Sequence, residues 1–263
     1  MANNYNISML PEVAAVKAVV DAIRATDVVN IRADIAALSL MSAKEKSLLG
    51  IGAFPGFRSY FNRVADGAVP DANIWTLVEN GGGLVTVQND LANKPGYLYC
   101  ASGPGAGDDA IAVTKDKLVF SLKAPVTSLH LKCRLKSDFS NNATPTGVVG
   151  FANNDLVMTQ CSDWSNPASY CAGVYNSSNI VRGLSGDGTF TEELNCSAWT
   201  ADNTWFDFEV VVSAGDVKFY IDDVLRGTHL VRIPSTVFQL VVGATFQDVQ
   251  SFTFVEYIDV WCE

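Results

Sequence analysis

Residues 205–228 read W-F-D-F-E-V-V-V-S-A-G-D-V-K-F-Y-I-D-D-V-L-R-G-T. Phe206, Phe208, Val210 and Val212 recur at every second position, and Val217, Phe219 and Ile221 resume the same alternation after Ser213-Ala214-Gly215-Asp216. A period of two places successive side chains on opposite faces of an extended chain, so this stretch is a half-buried β-hairpin. Asp222-Asp223 makes the next reversal, because aspartate tolerates left-handed backbone angles better than a branched residue does. Further on, Ile258, Val260 and Cys262 alternate with Tyr257, Asp259 and Trp261, which ends the chain inside a sheet.

Working outward, Trp75, the glycines Gly81-Gly82-Gly83 and the run Leu84–Gln88 open a series of short alternating segments. Further segments are Gly96–Ala101, Ala110–Thr114, Lys117–Leu122, Ser128–Lys136, Gly147–Ala152, Leu156–Thr159, Cys171–Tyr175, Thr189–Leu194, Val237–Ala244 and Ser251–Val260. Turn residues separate them, and the whole reads as about twelve strands of an all-β domain. Trp205, Phe219-Tyr220-Ile221-Asp222, Pro234 and Ile258-Asp259-Val260 give the order of signals of the concanavalin A-like jelly roll, and the chain from about Trp75 onward resembles that family. Asp223 stands where the family has glycine. The resemblance implies a two-sheet sandwich and leaves the ligand open.

The 263 residues are 48% hydrophobic, 17% charged and 10% aromatic, and the formal charge is −10. Nucleic acid is excluded as a partner because no cluster of Lys and Arg is present to neutralise phosphates. No apolar run approaches the length that crosses a bilayer, and the start M-A-N-N-Y-N-I-S-M-L-P has neither the basic nor the apolar part of a secretory signal. Cys133 shares a face with Leu129, Leu131 and Leu135, and Cys262 with Ile258 and Val260, so both are read as core residues. The six cysteines are expected to be mostly free thiols, with Cys161 and Cys171 the pair best suited to a bridge.

Residues 1–49 differ in composition. Val13, Val16, Val20 and Ile23, then Val28, Ile31, Ile35 and Leu38, step by three and four and predict two amphipathic helical stripes. Stripes of Val and Ile flanked by Ala suit self-association, with a trimer favoured over a dimer, and packing on the sandwich is the alternative. The run V-V-D-A-I-R-A-T-D-V-V-N-I-R-A-D-I (residues 19–35) is similar to helical segments of bacteriophage tail and fibre proteins. Residues 50–70 are a connector broken by Gly50, Gly52, Pro55, Gly56, Gly67 and Pro70, and its aromatic residues are expected to pack on the sandwich or a neighbouring subunit. The domain plan is 1–49 helical, 50–70 connector and 71–263 sandwich.

Glycoside hydrolases of this fold carry E-x-D-x-x-E on one strand, so that two carboxylates share a face. That spacing is missing here. Glu192-Glu193 point to opposite faces, Glu256 and Asp259 do too, and Glu209 stands alone on its strand. A polysaccharide lyase needs a His or Tyr base with a cation for the substrate carboxylate, and no local motif marks one. The family resemblance implies calcium as a common ion, for which Asp108-Asp109, Asn153-Asn154-Asp155 and Asp187 have the right oxygens; ordinary turn chemistry explains the same residues, and no cofactor is expected. Sugar binding needs aromatic faces and planar polar groups, which Trp164, Asn166, Tyr170, Tyr175, Asn179 and Arg182 offer if they lie in loops at one rim; Trp164 and Tyr175 equally fit core or subunit-contact positions. The sequence therefore predicts a non-catalytic protein on a virion surface. It would be a capsid-decoration, head-fibre or tail-fibre homo-oligomer contacting other virion proteins, with cell-surface glycans as ligands. The alternatives are an extracellular carbohydrate-binding module and, third, a glycanase or lyase.

Overall fold

The computed structural model describes residues 57–61, 67–88, 96–115, 120–122, 126–138, 147–153, 170–177, 180–198, 204–235, 237–245 and 250–263. In chain order the strands are β1 (Phe57–Tyr60), β2 (Trp75–Glu79), β3 (Leu84–Gln88), β4 (Tyr97–Ala101), β5 (Asp109–Thr114), β6 (Phe120–Ser121), β7 (Ser128–Asp138) and β8 (Gly147–Ala152). They continue with β9 (Tyr170–Ser177), β10 (Ile180–Asp187), β11 (Thr191–Ala198), β12 (Phe206–Ser213), β13 (Val217–Ile221), β14 (Val224–His229), β15 (Val237–Thr245) and β16 (Phe252–Cys262). The first sheet runs β14-β13-β12-β7-β16-β4-β3 with β1 paired to β16, and the second runs β11-β10-β9-β8-β15-β5-β2 with β6 paired to β15. Two such sheets face to face make the expected mainly β sandwich. None of the described residues is helical, and residues 1–49, with the stripes Val13 to Leu38, lie outside the described set.

The hairpin of residues 205–228 forms as its alternation dictates. On β12 every second side chain is buried, and β7 pairs beside it with Phe208 opposite Cys133, Val210 opposite Leu131 and Val212 opposite Leu129. Phe208 and Phe219 of the first sheet meet Phe151 and Phe238 of the second in one interior cluster, where each ring is fully buried and contributes about 3 kcal/mol at most. Asp222 (φ 51°) and Asp223 (φ 60°) take the left-handed conformation that glycine would otherwise supply. The Asp222 carboxylate accepts the Asp207 N–H at 3.0 Å, which ties that turn to β12.

Three strands escaped the sequence reading. β1 lies within the expected connector and pairs Phe57 with Val260. β10 occupies a stretch read as glycan-binding loop, and β14 completes the hairpin's far edge. A bulge between Val255 and Tyr257 also shifts the phase of β16, so the expectation that Glu256 and Asp259 face opposite ways is corrected: Glu256 reaches Arg134 at 3.5 Å on the outer face.

Candidate functional site

Burial of Leu129, Leu131, Cys133 and Leu135 forces the intervening residues of β7 outward. His130, Lys132, Arg134 and Lys136 therefore stand in a row along a central strand of the first sheet. Cross-strand register sets Glu209 and Asp259 on either side of Lys132, and Asp207 and Tyr257 on either side of Arg134. Asp207 and Glu209 are two apart on β12 and share this face, which corrects the reading of Glu209 as a lone carboxylate.

A groove of about 520 Å³ opens on this face, lined by Ser128, His130, Glu209, Lys218, Tyr220 and Glu263 among others. The His130 ring stacks on Trp261 with centroids 4.6 Å apart and planes 18° from parallel. Its Nδ1 lies 3.2 Å from Glu209 Oε1 and its Nε2 3.0 Å from Ser128 Oγ. In the neutral tautomer whose Nδ1–H donates to Glu209, Nε2 accepts from the Ser128 hydroxyl, an arrangement that a general base with an orienting acid behind it can use. Glu263 Oε2 stands 3.6 Å from the same Nε2.

The surrounding charges are fixed by their neighbours. The Ser213 hydroxyl and then the Lys218 ammonium, at 2.6 and 2.9 Å, hold the Asp216 carboxyl below its ordinary pKa. In return Asp216 holds Lys218 above its own, so that both stay charged. Burial opposes the charge on Lys132, but the Asp223 carboxylate that it binds, with Glu209 and Asp207 beyond, keeps its pKa raised. Burial first and Asp207 second push the Tyr257 hydroxyl upward; it donates to Asp207 Oδ1 at 3.2 Å. Glu209, Asp216 and Asp223 each lie against a basic side chain, His130, Lys218 and Lys132 in turn. The groove assembles an imidazole, an ammonium and a phenol among the carboxylates of Glu209, Asp216, Asp223 and Glu263.

Of the sequence-derived glycan residues, the described ones fall elsewhere. Trp164, Asn166 and Asn179 lie outside the described residues, and Tyr170 opens β9. Tyr175 and Arg182 sit opposite each other on β9 and β10, on the outer face of the second sheet and not on a loop rim. Tyr175 is 2% exposed, in a cluster with Ile111, Val113, Val148, Leu184 and Val241, and Arg182 is ion-paired with Glu193. Two of the calcium candidates behave as turn residues: Asp108 accepts the Gly105 N–H at 2.8 Å, while Asp187 accepts those of Thr189 and Phe190 and binds Arg232; Asp109 opens β5. Asn153 is described without Asn154 and Asp155, and among the described residues no three His, Cys, Asp or Glu side chains converge as metal ligands. Cys100, Cys133 and Cys196 are buried free thiols; burial pushes Cys196 up to about 11, and Cys161 lies outside the described residues. The basic row of β7 was present in L-H-L-K-C-R-L-K, and its signal is the polar half of an alternation that had been read only for its apolar half.

No family model matches the chain, and no curated protein does. Solved structures do share its fold. An endo-acting O-glycanase of the human gut microbiota aligns with TM-score 0.54 and 11% identity over 79% of this chain and 98% of its own. The Bacillus licheniformis β-glucanase aligns with TM-score 0.52 and 10% identity over 80% and 99%. The endo-β-1,4-glucuronan lyase of Trichoderma reesei aligns with TM-score 0.52 and 9% identity over 79% and 95%. The chain thus shares the jelly-roll sandwich fold of these structures. These neighbours correct the expectation of a protein without catalytic function: the sandwich is a scaffold of glycan-cleaving enzymes. A missing E-x-D-x-x-E on one strand also says nothing of groups gathered from several strands.

Proposed function

We propose that this protein binds a uronic acid-containing polysaccharide on the outer face of the first sheet and cleaves it by β-elimination. The observation that carries the reading is His130, with Nδ1 held by Glu209 and Nε2 on the Ser128 hydroxyl, in the groove that Lys218 and Tyr220 also line. In the reaction, Nε2 takes the proton from C5, the carbon next to the uronate carboxylate. The electron pair becomes the C4–C5 double bond, the C4–O glycosidic bond breaks, and the departing oxygen takes a proton from the Tyr220 hydroxyl. Lys218 faces the carboxylate and stabilises the charge that builds on it, as a fixed cation in a groove does. The glucuronan lyase among the structural neighbours supports the substrate class.

Incubation with a panel of uronate and neutral polysaccharides tests this. Uronate chains should yield a product with the ultraviolet absorbance of an unsaturated carboxylate, and His130→Ala should slow it by about 10²–10⁴-fold without loss of fold. New reducing ends without unsaturation, or no product from any chain, would overturn the elimination. The placement on a virion, with residues 13–38 forming a homotrimer, is a separate proposal supported by the sequence pattern of residues 19–35; mass spectrometry of purified particles tests it.

A further inference from the structure

On the same face, beyond Arg134, five aromatic side chains from three elements adjoin one another. Trp205 lies 6.0 Å from Tyr97, Tyr97 5.5 Å from Phe254, Phe254 5.1 Å from Tyr99, and Tyr99 stacks on Phe252 at 5.9 Å with planes 13° apart. All five are half-buried, so part of each ring still meets solvent. Lys136 Nζ sits 4.4 Å from the Phe254 ring centre and 5.5 Å from that of Trp205, which seats a cation in the middle of the platform. Core packing does not account for this arrangement: the rings alternate with Leu98, Cys100 and Val255, which are the side chains that enter the interior.

We infer that this platform is a second contact region for the polysaccharide chain, and that it makes the protein select long, carboxylate-bearing chains. The inference rests on the reading that a uronate glycan lies on this face. Lys136 is six residues along β7 from His130, about 20 Å at the rise of an extended strand, so only a chain of several sugar rings touches both. Ring faces take the apolar side of a pyranose, and the Lys136 ammonium, with three donors, meets the carboxylate of the sugar above it. Continuity along one strand places groove and platform on a single path across the sheet.

Isothermal titration of the His130→Ala protein, which leaves chains uncleaved, with uronate oligosaccharides of increasing length tests the inference. Affinity should rise with length until both regions are spanned. Adding Lys136→Gln or Trp205→Ala should weaken the long chains about tenfold and leave the shortest unchanged. If Trp205→Ala fails to fold, Lys136→Gln carries the test. Affinity independent of length, or a Lys136→Gln protein with undiminished affinity for long chains, overturns the platform even where elimination is confirmed. Length- and Lys136-dependent binding without any cleavage by the native protein upholds the platform and overturns the elimination.

Discussion

The outward positions of β7, at the centre of the first sheet, are His130, Lys132, Arg134 and Lys136; those of β8, at the centre of the second, are Val148, Gly150 and Ala152. Both strands turn apolar side chains into the same interior, so the difference lies wholly in what they show on the other side. A strand with one wet face alternates, whereas a strand buried on both faces reads as a continuous apolar run. β8, G-V-V-G-F-A, is buried at all six positions. The fixed charges and the groove belong to the first sheet, and the second sheet carries the buried outer cluster of Ile111, Val113, Val148, Leu184 and Val241.

The largest expected effect lies in the second sheet. Gly150 and Gly173 are opposite partners on β8 and β9, and a Cβ on Gly173 would sit 2.5 Å from the Val149 carbonyl oxygen and 2.7 Å from the Gly150 Cα. Backbone in mid-sheet cannot retreat as a side chain can. Gly173→Ala should therefore cost about 3 kcal/mol or more by urea denaturation, or prevent folding outright. A loss below about 1 kcal/mol would show a second sheet looser than its close strand approach implies.

Next comes Tyr175, which sequence reasoning offered as a sugar contact and the structure buries in the second sheet's outer cluster. Tyr175→Ala should lower stability by about 3 kcal/mol and leave the affinity of the folded fraction for uronate chains unchanged. The reverse result, intact stability with lost affinity, would move the binding face to the second sheet and break the contrast between them.

Legibility divided along the same line. The hairpin, the turn at Asp222-Asp223 and the burial of Cys133 were readable because local alternation and turn chemistry decide them. The groove was not, since His130, Glu209, Lys218 and Tyr220 come from three strands whose adjacency is a matter of topology. No spacing in the sequence encodes that β12 lies beside β7. Tyr175 was readable as the end of a strand and as a core residue, which its burial bears out, while Y-N-S-S-N after it has the polar look of a loop, yet β9 extends to Ser177 because β8 and β10 pair with it on both sides.

A smaller effect should appear as pH dependence inside the sandwich. His229, 2% exposed, shares a hydrogen bond of 2.7 Å with Ser185, and burial lowers its pKa from 6.5 against the opposing pull of Glu192. A histidine with a depressed folded pKa binds its proton more readily in the unfolded chain. Stability is thus full above pH 6.5 and falls as pH drops from there toward the folded value, by no more than about 1.4 kcal/mol per unit. Thermal melts from pH 7.5 to 5 should show this slope in the native protein and lose it in His229→Gln. An equal slope in both would assign the acid sensitivity to the carboxylates of the first sheet's outer face.

The smallest change tests whether that outer face is built for stability at all. Asp216 is tied to Ser213 and Lys218 and keeps a lowered pKa, so its contribution exists above the unfolded value of 3.8 and disappears as pH falls through the folded one. Because the pair is partly exposed, Asp216→Asn should cost under about 1 kcal/mol at pH 7, and the deficit should vanish in strong acid. Under the proposed elimination its effect on turnover should be larger than its effect on melting, since releasing Lys218 from Asp216 lets the ammonium leave the position assigned to the uronate carboxylate. KM should rise with little change in the denaturation midpoint, and raising the salt concentration should narrow the difference between the two proteins by screening both. If Asp216→Asn instead unfolds the hairpin turn, the charges of the first sheet hold the sandwich together as the apolar cluster of the second does, and the division of labour between the two faces is lost.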